Sequence, residues 1–125
     1  MKNFNLIIVF IISIITANAQ SSLPSLSLKT IDGKTINTED LSKDGPIVIS
    51  LWATWCGPCL KELDAISDVY DEWQAETNIK LYAVSIDDSR TVKRVKPLIN
   101  GKGWEYDILL DTNHDLKRAL KVSTV

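Results

Sequence analysis

Pro46-Ile47-Val48-Ile49-Ser50-Leu51-Trp52-Ala53-Thr54-Trp55-Cys56-Gly57-Pro58-Cys59-Leu60-Lys61-Glu62 is the stretch that decides the fold. Its first six residues are short, apolar and β-branched, which reads as a buried strand at the centre of a sheet. From Leu60 to about Ala75 apolar residues return at Leu63, Ile66, Val69, Tyr70 and Trp73, the three- and four-residue steps of one helix. Both cysteines of the chain, Cys56 and Cys59, fall where the strand ends and the helix begins. With no other thiol to pair with, they can open and close one small disulfide ring. A bridge across two residues closes almost no loop and removes little entropy from the unfolded chain. The pair is therefore read as a reagent rather than a staple.

The thiolate, not the thiol, attacks disulfides, so the attacking sulfur needs a lowered pKa. A helix N-terminus offers unpaired N–H groups and the positive end of a dipole, and Cys56 is placed there. Cys59, one turn in, suits the resolving role and is expected to be the less exposed of the two. Gly57 allows close approach of a partner's backbone, and Pro58 fits a first helical turn, where its missing N–H costs nothing. Trp55 flanks the attacking thiol and is read as apolar docking surface. Trp52, Trp73 and Trp104 are assigned to the core. Glu62 lies three residues after Cys59 on the same helix face. If it is partly buried its pKa rises and it can serve as acid or base toward Cys59; on an exposed face it is an ordinary solvated carboxylate.

At 125 residues the chain has room for one domain, and 45% hydrophobic residues suit a packed core. A net charge of -2 gives no reason to expect nucleic acid as a partner. The basic groups Lys93, Arg94, Lys96 and Lys117, Arg118, Lys121 alternate with apolar residues and read as solvated helix faces. Two Cys and the single His114 fall short of the four ligands of a structural metal site, so no metal is expected, and His114 is read as loop-exposed. Residues 1–19 read as a signal peptide. Lys2 gives a positive start, Leu6 to Ile15 is apolar apart from Ser13, and Ala17-Asn18-Ala19 fits a cleavage site after Ala19. The chain is thus expected to be exported, to the periplasm or cell envelope, with retention as an anchor the other reading.

Gln20 to Pro24 reads as a linker, and 25–125 as the domain. Leu26 to Thr30 and Thr35 to Asn37 form a hairpin about Asp32-Gly33. Thr38 to Leu41 is one helical turn. Ile79 to Ile86 is a second strand. Ser89 is read as the cap of a helix through Thr91, Val92, Val95 and Leu98, ended or bent near Pro97 and stopped by Asn100-Gly101. Tyr106 to Leu110 is a third strand and Asp115 to Leu120 a last helix. This order implies an α/β fold with parallel pairing through crossovers.

The segment Leu51 to Glu62 resembles the active site of the thioredoxin superfamily. It is most similar to the exported TlpA/ResA-like branch, in which a basic residue and then Glu follow the second Cys. The hairpin, Val84-Ser85-Ile86-Asp87-Asp88 and Leu110-Asp111-Thr112 extend the resemblance over about Ser25 to Val125. It implies a thioredoxin-like fold, a mostly parallel sheet flanked by helices with an N-terminal hairpin extension. It also implies thiol–disulfide exchange without a cofactor, with Cys56 as nucleophile, Cys59 as resolving thiol and Glu62 as nearby acid. The implied partners are disulfide-bearing envelope proteins such as apocytochrome c, and a membrane-embedded electron donor. Gly-Pro between the cysteines is the dipeptide of the reducing thioredoxins and favours reductase over oxidase. Ser50 stands where cytoplasmic thioredoxins bury an Asp, and Asp64 where they kink the helix with Pro. The superfamily next places a cis-Pro loop, a hairpin and a helix. The chain stops at Val125 where that Pro would follow, so the resemblance implies that these parts are missing and that these residues alone fold poorly.

Two other functions fit parts of the sequence. A peroxiredoxin-like peroxidase needs an isolated Cys in a Pro/Thr-rich loop, whereas Cys56 is followed at once by Gly-Pro-Cys. A redox-inert binding module or non-functional fragment on the same fold is disfavoured by the intact cysteine pair.

Overall fold

A computed structural model describes residues 22–125; the leader expected over 1–19 lies outside the described residues. The expected hairpin forms from β1 (Ser27–Thr30) and β2 (Thr35–Asn37), antiparallel, with Gly33 at the turn in a positive-φ conformation that side chains rarely adopt. A 3-10 turn over Thr38–Ser42 follows, capped by the Asn37 side chain. Then come β3 (Ile47–Trp52), α1 (Gly57–Ser67), α2 (Tyr70–Thr77) and β4 (Lys80–Ser85). The chain continues through α3 (Val95–Lys102), β5 (Asp107–Leu110) and α4 (Asp115–Ala119). The sheet order is β2-β1-β5-β4-β3, with β3, β4 and β5 parallel and β1 antiparallel to β5. Leu23, from the stretch read as a linker, packs against the core beside Leu28 and Leu41.

Several expectations are corrected. The strand read as buried and central, β3, is an edge of the sheet, and Val48 is exposed. The buried strand is β4, where Leu81 through Ser85 are all buried. Hydropathy reports what a strand is able to bury, whereas its neighbours decide what is covered.

The single helix expected to about Ala75 is two. Backbone N–H groups of Asp68 and Val69 both turn back to the Ile66 carbonyl, and Val69 leaves helical geometry. Ser67 and Asp68 compete with the helix for backbone hydrogen bonds and β-branched Val69 is a weak helix former, so the break falls where propensity is lowest. The Tyr70 hydroxyl then accepts from the Leu81 N–H at 2.9 Å.

Pro97 neither ends nor bends α3. It lies in the first turn, where no N–H is needed. The helix runs past Asn100-Gly101 and stops at Gly103, which takes the left-handed cap with φ 67. Ser89 does not cap it; the turn before it starts at Asp88, whose carbonyl accepts from Thr91 and Val92. Finally, Trp73 is exposed on α2 rather than in the core.

Trp52 and Trp104 are core, as expected, and meet edge-on at 5.5 Å, with Trp104 against Tyr106 and Tyr106 edge-on to Tyr70 at 5.0 Å. This aromatic cluster lies between the sheet and α1, and large planar groups packed edge-to-face gain more than their area burial alone. Two side chains fix α1 to it. The Tyr106 hydroxyl donates to the Leu63 carbonyl at 2.6 Å. Asp64 accepts from Trp104 Nε1 at 2.8 Å and from Lys102 Nζ at 2.5 Å.

Candidate active site

β3 runs out at Trp52, and the Cys56 N–H donates to the Ala53 carbonyl at 3.0 Å, closing a tight turn into α1. Cys56 is the N-cap residue of that helix. Its Sγ accepts from the Cys59 N–H at 3.3 Å, and Pro58 lies in the first turn. One of the orphan donors of a helix N-terminus is thereby spent on sulfur. Cys56 and Cys59 form a disulfide with Cα atoms 5.3 Å apart. Trp55, Gly57 and Pro58 are exposed around them.

The two cysteines are equally buried, each 8% exposed, so the expected difference in exposure is absent. Their asymmetry lies in hydrogen bonding. Only Cys56 Sγ has a backbone donor aimed at it. When the bridge opens, that donor favours the thiolate on Cys56.

Glu62 is exposed and makes no side-chain hydrogen bond among the described residues. The partial burial on which its acid–base role was conditioned is not met. One helical turn of spacing from Cys59 is all that the structure adds to the expectation. Ser50, at the position of the thioredoxin Asp, is half-buried on β3.

The carboxyl group built into this end of the sheet is Asp87, which sequence reasoning passed over as a site residue. It is fully buried and accepts from the Thr54 N–H at 2.9 Å, the Thr54 hydroxyl at 2.5 Å and the Ser85 hydroxyl at 2.7 Å. Thr54 stands two residues before Cys56, so Asp87 holds the loop that carries the attacking sulfur. The sequence signal was a pair of acids, Asp87 and Asp88, directly after the strand-forming run that ends at Ile86, a place where a carboxyl group either ends the strand in water or organises a site.

His114 is the second omission. It was read as loop-exposed, yet it is half-buried, in the left-handed region with φ 60, and its Nε2 lies 2.7 Å from the Ile86 carbonyl. A carbonyl can only accept, so Nε2 carries the proton. Its neighbour Asp111 is buried and caps α4, accepting from the N–H groups of Leu116 at 3.1 Å and Lys117 at 2.9 Å. His114 and Trp55 line a cleft of about 410 Å³ completed by Ile86, Asp88, Arg90, Thr91 and Arg94. Among the described residues no group of three or more His, Cys, Asp or Glu side chains stands where it could hold a metal ion.

Two groups beneath the site are shifted. The Lys102 ammonium, with help from the Trp104 indole N–H, holds the Asp64 carboxyl below the usual range. Burial pushes the Tyr106 hydroxyl up to about 12.

Comparison with known proteins places this geometry. The chain is 28% identical over 103 residues to the thiol-disulfide oxidoreductase ResA of Bacillus subtilis, covering 82% of this chain and 55% of the relative. It is 33% identical over 102 residues to ResA of Oceanobacillus iheyensis, covering 78% and 49%. The chain thus spans about half the length of these curated relatives. The structure matches an uncharacterized thioredoxin-like protein from Porphyromonas gingivalis with a TM-score of 0.73 and 51% identity, covering 86% of this chain and 71% of that one. It matches StoA from Bacillus subtilis with a TM-score of 0.64 and 26% identity, covering 82% and 75%. The fold is thioredoxin-like, as the resemblance implied. With residues 19–125 matching the model of the AhpC/TSA family, the chain belongs to that family.

Proposed function

We propose that the chain is an exported protein-disulfide reductase, working on disulfide-bearing proteins of the cell envelope through Cys56 and Cys59. The observation that carries this reading is the Cys56–Cys59 bridge at the first turn of α1, with the Cys59 N–H donated to Cys56 Sγ. The names of the ResA relatives support thiol–disulfide exchange as the chemistry, and the leader-like residues 1–19 support export.

In the reducing direction the dithiol form starts the cycle. The Cys56 thiolate attacks one sulfur of the substrate disulfide, the S–S bond breaks, and the other substrate sulfur leaves as a thiolate. The resulting mixed disulfide holds substrate on Cys56. Deprotonated Cys59 then attacks Cys56 Sγ, the Cys56–Cys59 bond forms, and the second substrate thiolate departs. Two electrons and two protons have moved from the cysteine pair to the substrate. The Cys59 proton leaves to solvent, with Glu62, the acid implied by the family resemblance, as the proposed exchange partner one turn away. The oxidised pair must then be recharged by a dithiol donor, and a membrane-embedded one fits an exported reductase. Trp55, Gly57 and Pro58 form the proposed docking rim, with apocytochrome c one candidate among envelope substrates.

Turbidity from insulin reduced by dithiothreitol tests the chemistry. Cys56→Ser is expected to remove all acceleration, and Cys59→Ser to trap a mixed disulfide visible by mass. Acceleration that survives Cys56→Ser would overturn the reading. A Cys56–Cys59 potential above the roughly -180 mV of protein disulfide isomerase would overturn the reductase direction.

A further inference from the structure

Arg94 and its cleft carry an inference that rests on the exchange reading above and deepens it. Of the cleft's charged residues, Arg90 is already occupied. Its guanidinium lies 2.7 Å from Asp88, and its N–H also donates to that carboxylate at 2.9 Å. That pairing cancels one positive and one negative charge. Arg94, which also lines the cleft, is exposed and in no ion pair among the described residues. The cleft is also lined by Trp55, 58% exposed and adjacent in sequence to Cys56. The cleft is therefore net positive on a chain whose overall charge is -2.

We propose that this cleft selects polypeptide substrates that carry an Asp or Glu a few residues from the disulfide to be reduced. The substrate carboxylate pairs with the Arg94 guanidinium. The intervening residues lie against Trp55, which delivers the substrate sulfur to Cys56. Arg94 is thus a specificity residue, acting before chemistry. An exposed cation at a rim acts mainly on association, so the preference depends on ionic strength.

The test uses the reduced 125-residue chain and two synthetic cyclic disulfide peptides, identical except for Asp or Lys two residues from one Cys. The neutral disulfide of 2-mercaptoethanol serves as a third substrate. The Asp peptide is expected to react about fivefold faster than the Lys peptide, the size of one exposed ion pair, with the ratio closing in high salt. Arg94→Glu is expected to invert the ratio, and Arg94→Gln to bring it near one. Reading the ratio within each variant cancels any change in intrinsic thiol reactivity. Equal rates for the two peptides, or a ratio unmoved by Arg94→Glu, would overturn the proposal while leaving exchange intact. Failure with all three disulfides would overturn the exchange reading and this proposal with it.

Discussion

The two ends of the parallel sheet are built differently. At the carboxyl ends of β3, β4 and β5 the backbone ladder continues past the strands, with Ile86 N–H donating to Trp52 and Asp111 N–H to Ser85, both at 2.8 Å. Buried Asp87 and Asp111 then gather loop and helix donors, and His114 fastens to Ile86. β1 pairs with β5 only through Lys29 and Thr30, against Leu110 and Leu109 at the carboxyl end of β5, and toward the amino ends that pairing stops. Beyond that the sheet parts into an open cleft of about 710 Å³ walled by Tyr82, Trp104 and Tyr106. Exposed ion pairs stand there, Lys80–Asp107 at 2.8 Å and Lys96–Asp32 at 3.6 Å. Where atoms must be placed, the chain uses buried acceptors with several neutral donors. Where they need only be kept in solution, it uses exposed charges. In open α/β sheets the carboxyl end is also where ligands bind, and Cys56 is at that end.

Asp87→Ala tests the contrast most severely. It leaves the Thr54 N–H and two hydroxyls without their acceptor in a buried site, and is expected to lower stability by about 3 kcal/mol in a urea melt. It should also slow alkylation of reduced Cys56, because the loop bearing it is released. A loss under about 1 kcal/mol would mean that the carboxyl end is held by the ladder alone.

The strongest single tie at the amino end is the Tyr106 hydroxyl on the Leu63 carbonyl. Tyr106→Phe is expected to cost about 1 kcal/mol at neutral pH. The sign of its pH dependence follows from a folded value of about 12 against about 10 for an unperturbed tyrosine. The neutral hydroxyl is favoured in the fold, so its contribution is full below pH 10. It is lost as the pH rises from 10 toward 12, and the Phe variant lacks that alkaline limb.

Asp64→Asn should matter less. The carboxyl is 43% exposed and its partner Lys102 33%, so the expected loss at pH 7 is under about 1 kcal/mol. Its folded pKa is depressed. The contribution is therefore present above the ordinary aspartate value and disappears as pH falls through the lower folded value. Wild type and variant should converge in acid. Smallest of all is Lys80→Gln at the open cleft, where both partners are about half exposed. A change below about 0.5 kcal/mol is expected, and a larger one would erase the difference between the two ends.

Much of this was legible in residue order. The hairpin about Gly33, the strands at β4 and β5, and the placement of Cys56 at a helix start follow from local pattern and turn chemistry. Pro97 misled because its position in a helix, not its presence, decides whether an N–H is missed. Trp73 and Val48 misled because apolar side chains do not say whether anything stands opposite. Asp87 falls in the Val84 to Asp88 stretch that carries the family resemblance, which by itself assigns it no chemistry. Nothing local reveals that a carboxyl group after β4 will meet Thr54, thirty-three residues earlier.

The amino-acid sequence by itself determined the reagent: two thiols one helical turn apart, at the seam of a strand and a helix. Spacing along the backbone fixes that ring whatever else folds around it. Only the tertiary structure decided what holds the reagent and what surrounds it. It gave Thr54 to Asp87, drew His114 and Arg94 to the cleft that Trp55 lines, left Glu62 in solvent and put β3 at the edge. These depend on contacts between residues far apart in the chain, whose free energy exists only once the intervening elements have packed.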